Sequence, residues 1–201
     1  MTTRIGVFGG TFDPVHVGHL VAAVNARYTL ELDRVLLVVA NEPWQKADER
    51  PVTPAVDRFA LVAAAVSESE GIEASDLEIR RGGPSYTADT VIELGALHAG
   101  AELFVIVGAD VVPGLSTWQR VDEVRELATL VVVNRPGAAA VDIATSPHLR
   151  GFRAVAIEVP ALEISSTDLR DRAATGRPLD FLVPGPAVRL LRERGLYALS
   201  R

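Results

Sequence analysis

Short apolar runs alternate with helical patterns along most of this chain. Residues 34–40, 103–107 and 130–133 are largely apolar, which is the pattern of strands buried on both faces of a sheet. Neighbouring parallel strands need long crossover connections, which are usually helices. The sequence therefore predicts an α/β fold built on a doubly wound parallel sheet, with a small helical part at the C-terminal end.

Length and composition are those of one ordered domain. The chain has 201 residues, of which 48% are hydrophobic and 23% are charged, and this is enough to bury a core. We expect a single domain, with the sheet core in about 1–165 and the helical part in about 166–201.

Charge and cysteine content exclude several kinds of partner. A net charge of -6 and a pI near 5.3 argue against nucleic-acid binding, because affinity for the phosphate backbone depends on clustered Lys and Arg. The absence of cysteine excludes disulfides and thiolate metal sites. The sequence shows no signal peptide and no apolar run long enough for a bilayer. We therefore expect a cytoplasmic protein with no membrane partner, and the pattern leaves open whether it forms a homo-oligomer.

Local signals predict several element boundaries. Residues 41–54 are polar and proline-rich and indicate a loop. Thr53 and Pro54 fit the N-cap and first position of a helix. Residues 72–80 are predicted to form a strand, and residues 184–197 a final helix with exposed arginines.

The first strand leads into a turn with features of a phosphate site. Gly9 and Gly10 let the backbone approach a ligand closely, and Thr11 adds a hydroxyl. His16 and His19 follow one helical turn apart, so their side chains can project from the same face. The N–H groups of a helix N-terminus attract anions, which favours phosphate binding over simple turn and cap chemistry. The chain has no Gly-x-Gly-x-x-Gly sequence at this turn, and no Gly-Lys-Ser or Gly-Lys-Thr.

The other histidines and a metal role need separate treatment. A zinc site at His16 and His19 is not expected, because a clear third ligand is missing. His98 and His148 have no partner in the sequence pattern and are predicted to lie at the surface.

Further motifs stand at predicted strand ends or helix starts. Residues 82–87 form a second glycine-rich turn before a helix, and residues 108–110 follow the strand at 103–107. Residues 164–167 open a helix that carries Arg170 one turn on; simple helix capping is the alternative explanation there. In open parallel sheets, ligands bind beyond the carboxyl ends of the strands. We therefore expect these motifs to share one site.

Together these motifs resemble a known family. Gly9-Gly10-Thr11-Phe12-Asp13-Pro14-Val15-His16-Val17-Gly18-His19 and Ile164-Ser165-Ser166-Thr167-Asp168-Leu169-Arg170 resemble the two signatures of the nucleotidyltransferase superfamily. Pro84-Ser85-Tyr86-Thr87-Ala88-Asp89-Thr90, Gly108-Ala109-Asp110, Trp118 and Arg135-Pro136-Gly137 are similar to the bacterial nicotinate-nucleotide adenylyltransferases. The resemblance covers nearly the whole chain and implies a Rossmann-like nucleotidyltransferase fold.

The resemblance implies a reaction and a set of site residues. Members of the family transfer the AMP part of ATP to nicotinate mononucleotide, with magnesium, giving deamido-NAD and pyrophosphate in NAD biosynthesis. The implied catalytic residues are His16, His19, Lys46 and Arg170. The implied ATP and phosphate contacts are Gly9, Gly10, Thr11, Phe12, Gly18, Gly108, Asp110, Ser165, Ser166 and Thr167. The implied nicotinate-mononucleotide contacts are Ser85, Tyr86, Thr87, Trp118 and Arg135.

One loop departs from the family pattern. Many members carry Pro-His-Lys after the second strand, where this chain has Pro43-Trp44-Gln45-Lys46. The lysine is present and the histidine is not, so no histidine role is expected in this loop.

Three other functions remain open. Within the superfamily, the chain could adenylate phosphopantetheine or use CTP on an alcohol phosphate; the Ser85–Thr87 turn and Trp118 argue against both. It could also be a nucleotide-binding regulatory module without turnover, but such a module would be expected to lose a signature histidine or Arg170, and all are present.

Overall fold

Six parallel strands form one sheet within the part of the chain that the structure describes. This computed structural model describes residues 2–43, 51–134 and 140–198. The strands are β1 (Arg4–Gly10), β2 (Arg34–Val39), β3 (Ile72–Ser75), β4 (Glu102–Gly108), β5 (Ala128–Asn134) and β6 (Ala154–Glu158). The α-helices are α1 (Val17–Thr29), α2 (Ala55–Val66), α3 (Leu77–Arg81), α4 (Thr87–Leu97), α5 (Val121–Leu127), α6 (Ser166–Ala174) and α7 (Gly185–Glu193). The residue ranges Ala109–Thr117 and Pro147–Leu149 are 3₁₀ helices.

The strand order places a switch point between β1 and β4. The sheet runs β3-β2-β1-β4-β5-β6, so the chain first builds outward on one side of β1 and then on the other. Val7 of β1 pairs with Val105 of β4 in parallel register. This arrangement confirms the predicted doubly wound fold, and such folds bind ligands at the switch point.

Both faces of the sheet are covered by helices. On one face, Leu37 of β2 joins a buried cluster with residues of α1, α2, α6 and α7. On the other face, Leu36 joins a second cluster with residues of α3, α4 and α5. Alternate residues of a strand point to opposite faces, so a continuous apolar run such as β2 supplies both clusters.

The predicted strand at 72–80 is only half correct. β3 ends at Ser75, which pairs with Val38, one residue before β2 itself ends. The chain then turns into α3, where Arg80 Nε lies 2.9 Å from the Asp76 carboxylate. Once the neighbouring strand offers no further partner, a helical turn satisfies the backbone locally.

Two other boundaries differ from the prediction. Thr53 is not the N-cap of α2; Pro54 holds that position, and its carbonyl accepts the first helical hydrogen bonds from Asp57 and Arg58 at 3.0 and 3.1 Å. The last helix ends at Glu193 and not at residue 197, because the chain turns at Gly195, which has a left-handed φ of 61°.

Two surface predictions have different outcomes. His148 is exposed, as expected, whereas His98 is half-buried with its ring nitrogen Nδ1 3.4 Å from Arg34 Nη2. The partner lies 64 residues away in sequence, which is why the local pattern did not indicate it. None of the described helices has both the length and the apolar character needed to cross a membrane.

Candidate active site

A cleft opens over the carboxyl ends of β1 and β4. Gly10 is the last residue of β1 and Gly108 the last of β4, so both reach the switch point. Eight predicted site residues line this cleft: Gly9, Gly10, Thr11, Ser85, Tyr86, Thr87, Gly108 and Trp118. The cleft therefore joins residues predicted to contact ATP with residues predicted to contact the mononucleotide.

One of the cleft glycines is required by close packing. A methyl group on Gly10 would meet the buried Phe12 ring at 2.8 Å, whereas one on Gly108 would meet only the Asp110 carboxylate, the end of an exposed side chain that can move away. Phe12 is itself buried, with a left-handed φ of 48°, so its ring supports the turn and faces little solvent. Any phosphate contact by Phe12 would have to come from its backbone.

The two histidines stack at the start of α1. Their ring centroids lie 3.7 Å apart with an interplanar angle of 31°. The backbone N–H of His16 donates to Nδ1 of His19 at 3.2 Å. In neutral His19 that acceptor role leaves the ring proton on Nε2. Gly18 permits this packing, since a methyl group there would lie 3.1 Å from the His16 ring.

The second signature is bound directly to the first. Ser166 Oγ donates to the carbonyl oxygen of Pro14 at 2.8 Å, and Arg170 Nη1 donates to that of Asp13 at 2.8 Å. Arg170 Nη2 also donates to Thr167 Oγ1 at 3.0 Å. The capping explanation holds for Ser165 alone, whose hydroxyl accepts from the Asp168 N–H at 3.1 Å. These contacts place Ser166, Thr167 and Arg170 beside the turn of the first signature, residues 9–14, which we call the phosphate turn.

A buried arginine, Arg58, supports the phosphate turn through hydrogen bonds to the backbone. Arg58 is 1% exposed and donates to three backbone carbonyls: Thr11 at 2.7 Å, Thr53 at 2.7 Å and Asn41 at 3.1 Å. Asn41 N–H in turn donates to Ser85 Oγ at 2.8 Å. A continuous chain of hydrogen bonds therefore links the phosphate turn to the Ser85–Thr87 turn.

Tyr197 connects the end of the chain to the same region. Its hydroxyl donates to Asp13 Oδ1 at 2.8 Å, and Asp13 is 1% exposed. Burial and the negative charge of Asp13 raise the pKa of the Tyr197 hydroxyl, so it remains a donor at neutral pH. The polypeptide after α7 thus helps to hold the loop between β1 and α1.

A buried carboxyl lies behind the Ser85–Thr87 turn. Glu78 of α3 lines the cleft, is 6% exposed and accepts a hydrogen bond from Thr90 Oγ1. Burial raises the pKa of the Glu78 carboxyl, although hydrogen bonds from Ser85 and Thr90 and the charge of Arg81 act in the opposite direction.

Some predicted site residues lie outside the part of the chain that the structure describes, and the described part contains no cluster of metal ligands. Lys46, with Trp44 and Gln45, and Arg135 lie outside the described residues. Within the described ranges, no group of three His, Cys, Asp or Glu side chains could hold a metal ion. Asp110 is exposed next to the end of β4.

Comparison with known proteins assigns the family. The sequence profile described as Cytidylyltransferase-like matches residues 7–172, which include both signatures. The chain belongs to this family. It is 44% identical over 98% of its length to a probable nicotinate-nucleotide adenylyltransferase of Corynebacterium kroppenstedtii, covering 92% of that protein. It is 43% identical over 96% of its length to one of Saccharopolyspora erythraea, covering 89% of it.

A solved structure has the same fold as this cytidylyltransferase-like protein. Nicotinic acid mononucleotide adenylyltransferase of Plasmodium falciparum, complexed with NaAD, superposes with a TM-score of 0.77. The alignment covers 97% of both chains at 18% identity. The family resemblance carried by the sequence motifs and the predicted nucleotidyltransferase fold are therefore confirmed.

Sequence reasoning missed four residues that support the site of this family member. Arg58 interrupts the apolar stripe of α2, and an arginine on the buried face of a helix is a signal that could have indicated a structural role. Asp13 lies inside the first signature but had no assigned partner. Glu78 was assigned to a strand, and Tyr197 to the end of a helix, so their contacts with the site were not anticipated.

Proposed function

We propose that this protein transfers the adenylyl group of ATP to nicotinate mononucleotide, giving deamido-NAD and pyrophosphate in NAD biosynthesis. The observation that carries the proposal is the joining of both nucleotidyltransferase signatures at the switch point, beside a cleft that also contains Ser85–Thr87 and Trp118. The names of the relatives with 44% and 43% identity support the same acceptor.

The attacking group would be the phosphate of the mononucleotide. Its second pKa is about 6, so it is mostly dianionic at neutral pH and needs no general base. The main obstacle is repulsion between this dianion and the triphosphate of ATP. Catalysis would therefore consist of alignment for direct in-line attack on the α-phosphorus, together with stabilisation of negative charge.

Donors around the phosphate turn suit that task. In neutral His19 the hydrogen bond accepted at Nδ1 puts the ring proton on Nε2, the donor that we propose for a phosphate oxygen, and His16 stacks against this ring. Arg170 is held by Asp13 and Thr167, which fixes its positive charge at the start of α6. Helix N-termini favour anions, so the backbone of α6 would add to the same effect. Lys46 is proposed as a further cation on the basis of the family resemblance.

The Ser85–Thr87 turn is proposed to bind the pyridine end of the acceptor. Thr87 is the first residue of α4, where backbone N–H groups have no partner within the helix. A nicotinate carboxylate at these N–H groups would be favoured over a neutral amide. Trp118 lines the same cleft and is half-buried, so its ring can stack on the pyridine.

Magnesium is proposed to arrive with ATP. The fit is a partial one, because the described residues offer no cluster of three ligands. The triphosphate oxygens would therefore supply most ligands, and Asp110, two residues after the end of β4, is a candidate carboxylate. Magnesium would neutralise part of the charge of the triphosphate.

We expect ATP and nicotinate mononucleotide to be the partners of this protein, and we expect no nucleic-acid partner. We also expect the protein to be cytoplasmic, since ATP is an intracellular substrate.

An acceptor panel tests the proposal. The protein is mixed with ATP, magnesium and either nicotinate mononucleotide or phosphopantetheine, and in a separate reaction with CTP and an alcohol phosphate. Pyrophosphate release that depends on nicotinate mononucleotide supports the proposal. Release only with another acceptor assigns a different member activity, and binding of ATP without release in any reaction indicates a regulatory module.

A further inference from the structure

We propose that Arg120 is a specificity-determining residue, which favours an acidic acceptor by neutralising Asp89 at the start of α4. Arg120 was not among the residues that the sequence motifs indicated. The inference rests on the proposed function for the identity of the acceptor, but its central claim concerns binding and can be measured without turnover.

Arg120 connects the two sides of the acceptor end of the cleft. It follows Trp118 and Gln119, which line one side. Its Nη2 forms an ion pair with the Asp89 carboxylate in the first turn of α4, the helix whose start lines the other side. Its Nε also lies 3.5 Å from Glu123 Oε2. One guanidinium therefore faces two carboxylates. Asp89 and Arg120 stand next in sequence to Thr90 and Gln119, which line the cleft.

The charges at this position matter for an acidic ligand. A carboxylate in the first turn of a helix interacts favourably with the N-terminal N–H groups, so Asp89 alone would compete for the positive end of α4. It would also repel a nicotinate carboxylate bound at Thr87. The guanidinium of Arg120 is shared with Glu123 but offsets the charge of Asp89, to which it is paired directly, and so makes the start of α4 more attractive to an anion than Asp89 alone would. A neutral amide in the same place would respond little to either charge.

The backbone at Arg120 indicates that its position is imposed by its surroundings. Its φ of 52° and ψ of 43° lie in the left-handed region, which is uncommon for residues other than glycine, asparagine and aspartate. Such conformations persist when surrounding contacts determine them, and they concentrate at functional sites. Here the residue stands at the N-cap of α5 and makes the ion pair with α4.

The test compares the two acceptors in matched variants. Equilibrium dissociation constants of nicotinate and nicotinamide mononucleotide are measured by calorimetry for the wild type, Arg120→Ala, Arg120→Lys and the double variant Asp89→Asn with Arg120→Ala. The ratio of kcat/KM for the two acceptors is measured in parallel. Arg192→Ala, which removes a charge on α7 that is paired with Asp180, controls for the change in net charge.

We expect Arg120→Ala to lower the acid-to-amide preference by about 1.5- to 5-fold, the range corresponding to an exposed ion pair. Arg120→Lys should retain the wild-type preference. The double variant should recover the preference that Arg120→Ala loses, and Arg192→Ala should leave it unchanged. An unchanged ratio in Arg120→Ala would overturn the proposal. A substitution that merely loosened Trp118 would weaken the binding of both acceptors alike and would leave their ratio unchanged. Failure of the double variant to restore the ratio would also overturn it.

The proposed function fails separately from this inference. If the wild type forms no dinucleotide from either mononucleotide, the proposed reaction is wrong, while the two dissociation constants still decide the role of Arg120.

Discussion

Ser166 Oγ donates a hydrogen bond to the carbonyl oxygen of Pro14 at 2.8 Å, although the two residues are 152 positions apart in sequence. The contact joins the start of α6 to the loop that carries the first signature. Arg170 repeats the connection one turn later through the carbonyl of Asp13. The two signatures therefore form one structural unit, and changes in either should affect the same chemical step.

Arg170→Lys tests that unit. The guanidinium of Arg170 reaches Asp13 and Thr167 with two different nitrogens, and one ammonium group cannot reproduce that fork. We expect kcat/KM to fall about 10-fold or more, because charge-assisted hydrogen bonds contribute roughly 1.5–3 kcal/mol each. Arg172→Lys is the matched control on the same helix, since Arg172 pairs with Asp168. Equal losses in both variants would assign the effect to helix stability.

His19 is predicted to donate to a phosphate oxygen through Nε2. We expect His19→Ala to lower kcat by on the order of 10²-fold or more with the fold intact, as for removal of a transition-state donor. His19→Gln places an amide donor near the position of Nε2, whereas His19→Asn retains an acceptor near Nδ1 for the His16 N–H. Gln should therefore retain more activity than Asn in steady-state assays. A soluble His19→Ala protein with wild-type turnover would remove His19 from the site.

Selection for the acid is predicted to depend on the backbone N–H of Thr87. Thr87 is the first residue of α4, a position that accepts proline, and the preceding Tyr86 already has the extended backbone that proline favours. Thr87→Pro removes the N–H, whereas Thr87→Ala keeps the N–H and removes the hydroxyl and the γ-methyl group. We expect a large preference of the wild type for nicotinate over nicotinamide mononucleotide, lowered several-fold in Thr87→Pro and retained in Thr87→Ala. Equal kcat/KM of the wild type on both acceptors would refute the carboxylate argument.

The buried carboxyl of Glu78 predicts a pH dependence of stability. Burial raises the pKa of this carboxyl in the folded protein, so the folded state holds the proton more tightly than the unfolded state does. The stability linked to that proton is fully present below the ordinary value of 4.5 and is lost as the pH rises through the raised pKa. Glu78→Gln lacks this loss, so its melting temperature relative to the wild type should increase between pH 4 and pH 7. A difference that stays constant or shrinks over this range would contradict the assignment.

Much of the fold could be predicted because it is encoded locally. β2 is apolar on both faces, and strands of that kind require helices on each side. β3 was predicted too long because its end depends on where its partner strand ends, at Val39, and no local signal carries that information.

The site was predicted in part for a similar reason. Contacts between residues that are close in sequence can be predicted from their spacing, as for His16 and His19 at the start of α1, which are one helical turn apart. The supports that were missed connect distant parts of the chain: Tyr197 reaches Asp13 over 184 residues, and Arg58 reaches Thr11 over 47. Pairing over such distances is set by the topology of the sheet, so one sequence does not reveal it.

The central claim is that the acceptor phosphate attacks the α-phosphorus of ATP directly, with the histidines and Arg170 stabilising charge and no covalent intermediate on the protein. The most direct test uses an ATP analogue made chiral by sulfur at the α-phosphorus, followed by analysis of the configuration in the dinucleotide product. A single in-line displacement predicts inversion at phosphorus. Retention would contradict the account, because it requires two displacements and therefore an intermediate in which a side chain such as His16 or His19 carries the adenylyl group.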